Sequence, residues 1–258
     1  MTGRDVGGRD LTGTGTAEAR WRSSGLLAAF PRVTPEELRP AGRVVVVAPH
    51  PDDETLGAGG TLAAWAATGG LPVTVVAVTD GEGSHPGSPT LRPAELAERR
   101  HDERRRALAA LGLPDAAVVR AGLPDAGVAG HRGVLTDLLD GLLRPGDTLL
   151  APLPGDGHPD HDAVAEVADD IAARHGVARW HYAVWLWHWA EPDDPAVPRQ
   201  DGVAVTLPAT AQRAKHDAVA CFTTQVQPLS DDPRDAAILP PEVLARLLRE
   251  VEVLWRTT

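Results

Sequence analysis

Residues 44–60 read V-V-V-V-A-P-H-P-D-D-E-T-L-G-A-G-G. Four β-branched residues in a row, Val44 to Val47, make the short apolar run of a strand buried on both faces. Directly behind it stand one imidazole and three carboxylates: His50, Asp52, Asp53 and Glu54. A glycine-rich turn and an alanine-rich helical segment follow. Polar groups crowded at the C-terminal end of a buried strand lie where open α/β sheets place their sites. Read alone, the cluster is either an acidic turn capping the next helix or half of a metal-binding hydrolytic centre, because imidazole and carboxylate donors suit Zn²⁺ and similar ions.

Working outward, apolar β-branched runs at 73–78, 118–121, 148–151 and 203–207 are expected to be further strands. The segment 182–189, where bulky and aromatic residues alternate, is expected to be another. Helices are expected at about 57–68, 93–111, 131–143, 163–174, 209–220 and 241–255, with a weakly amphipathic helical stretch at 17–38. This alternation predicts an α/β fold, a Rossmann-like, mostly parallel sheet with helices on both faces, forming a single domain over residues 17–258. Residues 1–16, rich in Gly, Thr, Asp and Arg without periodicity, are expected to be a mobile tail. Residues 84–92, rich in Pro, Gly and Ser, read as a surface loop.

Composition narrows the classes. The chain has 258 residues, 43% hydrophobic and 24% charged, with a formal net charge of −11. That balance argues against non-specific binding to nucleic acid or anionic membranes, both of which favour a basic surface. No run approaches the roughly 20 apolar residues of a membrane span, so no transmembrane segment is expected. The single cysteine, Cys221, forbids an intramolecular disulfide and fits a reducing compartment. A cytoplasmic protein is the expectation; composition leaves open whether it forms a homo-oligomer.

A second cluster follows the strand expected at 148–151: G-D-G-H-P-D-H-D, residues 155–162. His158 and His161 are three apart, with carboxylates between and after them, at the start of an expected helix. Alone it reads as an Asp-capped helix with two surface histidines. Two such clusters at strand ends of one sheet read differently. A three-donor set such as His50, Asp53 and His161 leaves one position for water, the arrangement of catalytic zinc sites. Gly57, Gly59 and Gly60 open a helix after a strand, yet three acidic groups stand where a dinucleotide's pyrophosphate would have to sit.

P-H-P-D-D-E after a Val-rich strand, paired with H-P-D-H before a helix, resembles the PIG-L/LmbE-like family of zinc-dependent N-acetylglucosaminyl deacetylases. The resemblance covers residues 43–174 well and the C-terminal third more weakly. It implies metal ligands at His50, Asp53 and His161, a general base at Asp52, and at His158 a protonated histidine that acts as general acid or helps polarise the carbonyl. It further implies substrate contacts from Arg100, in R-x-x-E with Glu103, and from Asp125. The implied cofactor is Zn²⁺, with Fe²⁺ an alternative on the same ligands. The implied substrate is a small N-acetylated sugar or glycoconjugate. One departure is Asp156, where some relatives carry a tyrosine two residues before the general-acid histidine; Tyr182, the chain's only tyrosine, replaces it only if the fold brings it close. The rival readings are an amidase acting on sugar–thiol conjugates and a non-catalytic sugar- or nucleotide-binding module. Metal analysis separates the last from the enzymes.

Overall fold

The valine run folds as the strand Val44–Ala48 with all five residues buried. Val44, Val46 and Ala48 enter one hydrophobic cluster, and Val45 and Val47 enter another. That alternation is the period of two of a pleated strand covered on both sides. The computed structural model describes residues 9–256.

In chain order the elements are α1 (Glu18–Ser23), α2 (Leu26–Ala29), β1 (Arg32–Val33), β2 (Val44–Ala48), α3 (Asp53–Ala67), β3 (Val73–Thr79), α4 (Pro93–Ala110), β4 (Ala117–Leu123) and α5 (Arg132–Leu142). They continue as β5 (Thr148–Pro152), α6 (Pro159–His175), β6 (Ala178–Tyr182), α7 (Leu186–Trp189), β7 (Gly202–Thr206), α8 (Ala209–Ala220), α9 (Thr223–Val226), α10 (Pro241–Leu247) and β8 (Val251–Arg256). One sheet runs β1-β7-β8-β6-β5-β2-β3-β4. The section from β4 to β6 is parallel throughout, which fits the expected mostly parallel α/β domain. The chain winds outward from β2 to β3 and β4, then returns to place β5 on the other side of β2. The direction in which the chain winds across the sheet therefore reverses between the parallel neighbours β2 and β5, the place where open sheets leave a crevice above their carboxyl ends. Both acidic–histidine clusters follow these two strands.

Three local expectations change. The segment expected as a helix at 241–255 is helical only as α10; β8 follows and pairs antiparallel with β6 and β7. Its alternation is masked because Glu252 is buried, held by Lys215 Nζ at 2.7 Å and by the backbone amides of Gly60 and Thr61. The expected strand 182–189 ends at Tyr182, and α7 follows. The stretch 17–38 divides into α1, α2 and β1.

Residues 9–16 pack on the domain. Arg9 donates to the Gly155 carbonyl at 3.0 Å and lies 4.2 Å over the Trp189 ring. Arg246 donates to the carbonyls of Thr14 and Thr16. This part of the expected mobile tail is thus held; residues 1–8 lie outside the described residues. No helix among the described residues is long and apolar enough to cross a membrane.

Two of the three α3 glycines are explained by packing. A Cβ on Gly57 would collide with the Tyr182 ring, and one on Gly60 with Leu207. We expect Gly57→Ala to lower stability by about 1–3 kcal/mol through overpacking, despite alanine's better helix propensity. A urea denaturation midpoint equal to that of the parent would contradict this.

Candidate metal centre and substrate pocket

The turn after β2 carries His50 and Asp52, and Asp53 opens α3. After β5, His158 is the N-cap of α6 and His161 lies in that helix's first turn. Both turns point into the crevice, and His50, Asp52, Asp53, His158 and His161 are all buried. His50 Nδ1 lies 3.1 Å from Asp53 Oδ2, His161 Nε2 lies 3.1 Å from the same oxygen, and the two ring nitrogens are 3.3 Å apart. Ligands about 2.0–2.1 Å from a tetrahedral ion stand about 3.3–3.4 Å from one another. The three expected ligand residues therefore form a triangle whose donor set and size fit a small divalent cation.

Two other sets of donors come within 4.8 Å of one another among the described residues: His50, His158 and His161, and His50, Asp125 and Asp160. In the second of these the far nitrogen, His50 Nε2, lies 3.3 Å from both Asp160 Oδ2 and Asp125 Oδ1. A metal-facing imidazole ordinarily gives its other N–H to a carboxylate, which fixes tautomer and ring orientation. Asp160 serves His50 in this way and Asp156 serves His161, at 2.8 Å from Nδ1. Asp160 also accepts the amides of Ala126 and Val128, holding Ala126 at φ 62°, a region that non-glycine residues occupy only when their surroundings enforce it.

Electrostatics follow from this crowding. Burial opposes charge on His50, but hydrogen bonds to Asp125, Asp160 and Asp53 outweigh it and raise its pKa well above the ordinary histidine value. His161 is likewise raised, to about 9, because Asp53 and Asp156 overcome its desolvation. Asp53, beside both rings, is held well below the usual carboxylate range despite its burial. His158 moves the other way: burial, then the neighbouring His50 and His161, push it well below the ordinary value. Its Nδ1 accepts the Asp160 amide at 3.2 Å, so the ring is neutral with its proton on Nε2.

Asp52 sits beside the triangle. Burial raises its pKa against the pull of Arg100, whose Nη2 donates to Asp52 Oδ2 at 2.9 Å. Arg100 Nη1 donates to the Gly81 carbonyl. Glu103, its partner in the R-x-x-E pattern, is used elsewhere: it accepts from Thr223 and Thr224 and ties α4 to α9. Glu54 pairs with Arg104 at 3.1 Å, and Arg104 also donates to the His50 carbonyl. Asp125 accepts the Gly83 amide at 2.9 Å, and its side chain is 9% exposed.

A pocket opens over the site. Its polar lining comes from His50, Asp52, Asp53, Arg100, Asp125, Ser84 and Gln225, and its apolar lining from Leu56, Val184, Trp185, Ile238 and Leu239. Sequence reasoning assigned no role to Gln225, Ile238 or Leu239; they reach the pocket from segments far from either motif, and no local pattern marks them. Of the tryptophans in the segment 182–189, only Trp185 lines this pocket. Trp187 packs against Trp21 and Trp255, and the Trp189 indole donates to the Asp156 carbonyl. Tyr182 cannot replace the tyrosine of other relatives, since its hydroxyl is buried and donates to the Val47 carbonyl at 2.8 Å. His188 is likewise committed, to the Thr12 carbonyl and Arg246.

Residues 45–172 match the family model described as PIG-L, GlcNAc-PI de-N-acetylase. A 1D-myo-inositol 2-acetamido-2-deoxy-alpha-D-glucopyranoside deacetylase from Tsukamurella paurometabola is 28% identical over 282 residues, covering 84% of this chain and 93% of the relative. Among solved structures, a deacetylase of teicoplanin biosynthesis superposes with TM-score 0.62 at 18% identity, covering 83% of this chain and 98% of that one. The N,N'-diacetylchitobiose deacetylase of Pyrococcus horikoshii superposes with TM-score 0.52 at 21% identity over 70% of each chain. At these identities the two structures speak for the fold; the matched segment spans both motifs and every strand from β2 to β5. Over residues 45–172, the segment that carries both motifs, the chain is therefore similar to the PIG-L family.

Proposed function

We propose that this protein is a zinc-dependent N-deacetylase that hydrolyses the acetamide of an N-acetylated amino sugar or glycoconjugate. The observation that carries the reading is the buried triangle of His50 Nδ1, Asp53 Oδ2 and His161 Nε2 with a buried carboxylate, Asp52, beside it. A divalent ion held by those three residues supplies Lewis acidity, which activates water near neutral pH and polarises the acyl carbonyl. The same donors accept Fe²⁺.

The remaining chemistry belongs to the chain. Asp52, oriented by Arg100, takes a proton from the attacking water. Its raised pKa suits a group that must hold that proton and then pass it to the departing amine. His158 serves as a neutral donor instead of the protonated acid suggested by the family resemblance, because its Nδ1 is occupied by the Asp160 amide. Its Nε2–H stabilises the oxyanion, a contribution of about 3–4 kcal/mol where such donors have been removed. Arg100 and Asp125, which line the pocket, orient sugar hydroxyls. One water is consumed, and acetate and a free amine are released. With a single cysteine, we read it as a cytoplasmic enzyme acting on a soluble small molecule.

The test is an amine-release assay on purified protein over a panel of N-acetylated sugars and inositol and thiol conjugates. Release that stops on chelation and returns with zinc is expected. Release confined to the thiol conjugates would favour the amidase, and a chain that takes up no zinc would favour the binding module.

A further inference from the structure

Asp156, two residues before His158, is fully buried. Four N–H groups converge on its carboxylate. Val184 and Leu186 donate to Oδ1 at 3.0 and 2.9 Å, and Trp185 and His161 Nδ1 donate to Oδ2 at 3.0 and 2.8 Å. The first three amides belong to the turn that brings Val184 and Trp185 to the pocket wall. The fourth donor is the ring whose other nitrogen completes the triangle. Only an ionised carboxylate presents enough lone pairs for four donors. An amide offers one oxygen, and its own NH₂ would face a backbone amide or the ring N–H.

We propose that Asp156 is a positioning residue that couples the metal centre to the substrate wall. It fixes His161 with its proton on Nδ1 and its Nε2 lone pair toward Asp53, and it holds the 184–186 turn in the conformation that lines the pocket. The inference rests on His161 being a ligand, as proposed above. Loosening the wall and loosening the metal are then one event.

Zinc affinity, measured by chelator competition on metal-stripped protein, is expected to fall about 10–100-fold in Asp156→Asn, the range for outer partners of metal ligands. At saturating zinc the same variant is expected to show a raised KM for an N-acetylated sugar, with a smaller change in kcat. Trp185→Ala, which removes a wall side chain while leaving the backbone amides on Asp156 and the triangle residues in place, is expected to raise KM with zinc affinity unchanged. A purely structural Asp156 would lower Tm and leave zinc affinity and KM at parent values; that result overturns the proposal. If Asp156→Asn does not fold, the parent protein decides through its histidine ring ¹⁵N spectrum. A slowly exchanging His161 Nδ1–H in the zinc-loaded state supports the proposal, and zinc on Nδ1 overturns it. A parent chain that takes up no zinc would instead remove the metal centre itself, and the inference with it.

Discussion

Asp52→Asn is expected to reduce kcat by about 10²–10⁴-fold, the usual worth of a positioned general base, while zinc content stays at the parent level. Asparagine keeps the size of the side chain and an oxygen for Arg100, whose Nη2 now meets Asp52 Oδ2 at 2.9 Å. It cannot take a proton from water. None of the three triangle atoms belongs to Asp52, so the donor set is untouched. The pH profile supplies a second readout. Burial raises the pKa of Asp52, and a base works only when deprotonated, so kcat/KM of the parent falls with decreasing pH at values above the ordinary carboxylate range. The variant should lose that acid limb along with its rate. A variant turning over at the parent rate would remove Asp52 from the mechanism.

His161→Ala is expected to abolish stoichiometric zinc and, with it, turnover. In the proposed centre the ring is one of three protein donors, so the loss of affinity should exceed the roughly 100-fold ceiling seen for outer partners. The reach of the change is wider than one ligand. His161 also lies against Asp53 and Asp156, so its removal leaves two buried carboxylates short of a partner, a costly state. Elemental analysis after gel filtration reads the outcome directly. A His161→Ala protein that keeps one zinc per chain would move the centre to the other side of His50, where Asp125 and Asp160 stand.

Much of this is legible in the sequence alone. The valine run, both motifs and the strand–helix alternation depend on local chemistry: burial on two faces, and polar groups at strand ends. They indicated the parallel part of the sheet and brought His50, Asp53 and His161 into one place. What local patterns could not carry is long-range. β8 slots antiparallel between β6 and β7, and its buried Glu252 reads as an exposed helix position until Lys215 is seen beside it. The aromatic segment after Tyr182 alternates like a strand, yet three of its amides turn toward Asp156 instead of a neighbouring strand. The neutral state of His158 was hidden for a similar reason: the Asp160 amide claims its Nδ1, and no spacing rule announces a tautomer.

The account stands on where the metal binds, and crystals of zinc-loaded protein measured at the zinc absorption edge test that most directly. One anomalous peak per chain is predicted, about 2.0–2.2 Å from His50 Nδ1, Asp53 Oδ2 and His161 Nε2. A peak on the Nε2 side of His50, between Asp125 and Asp160, or no peak at all, would contradict it.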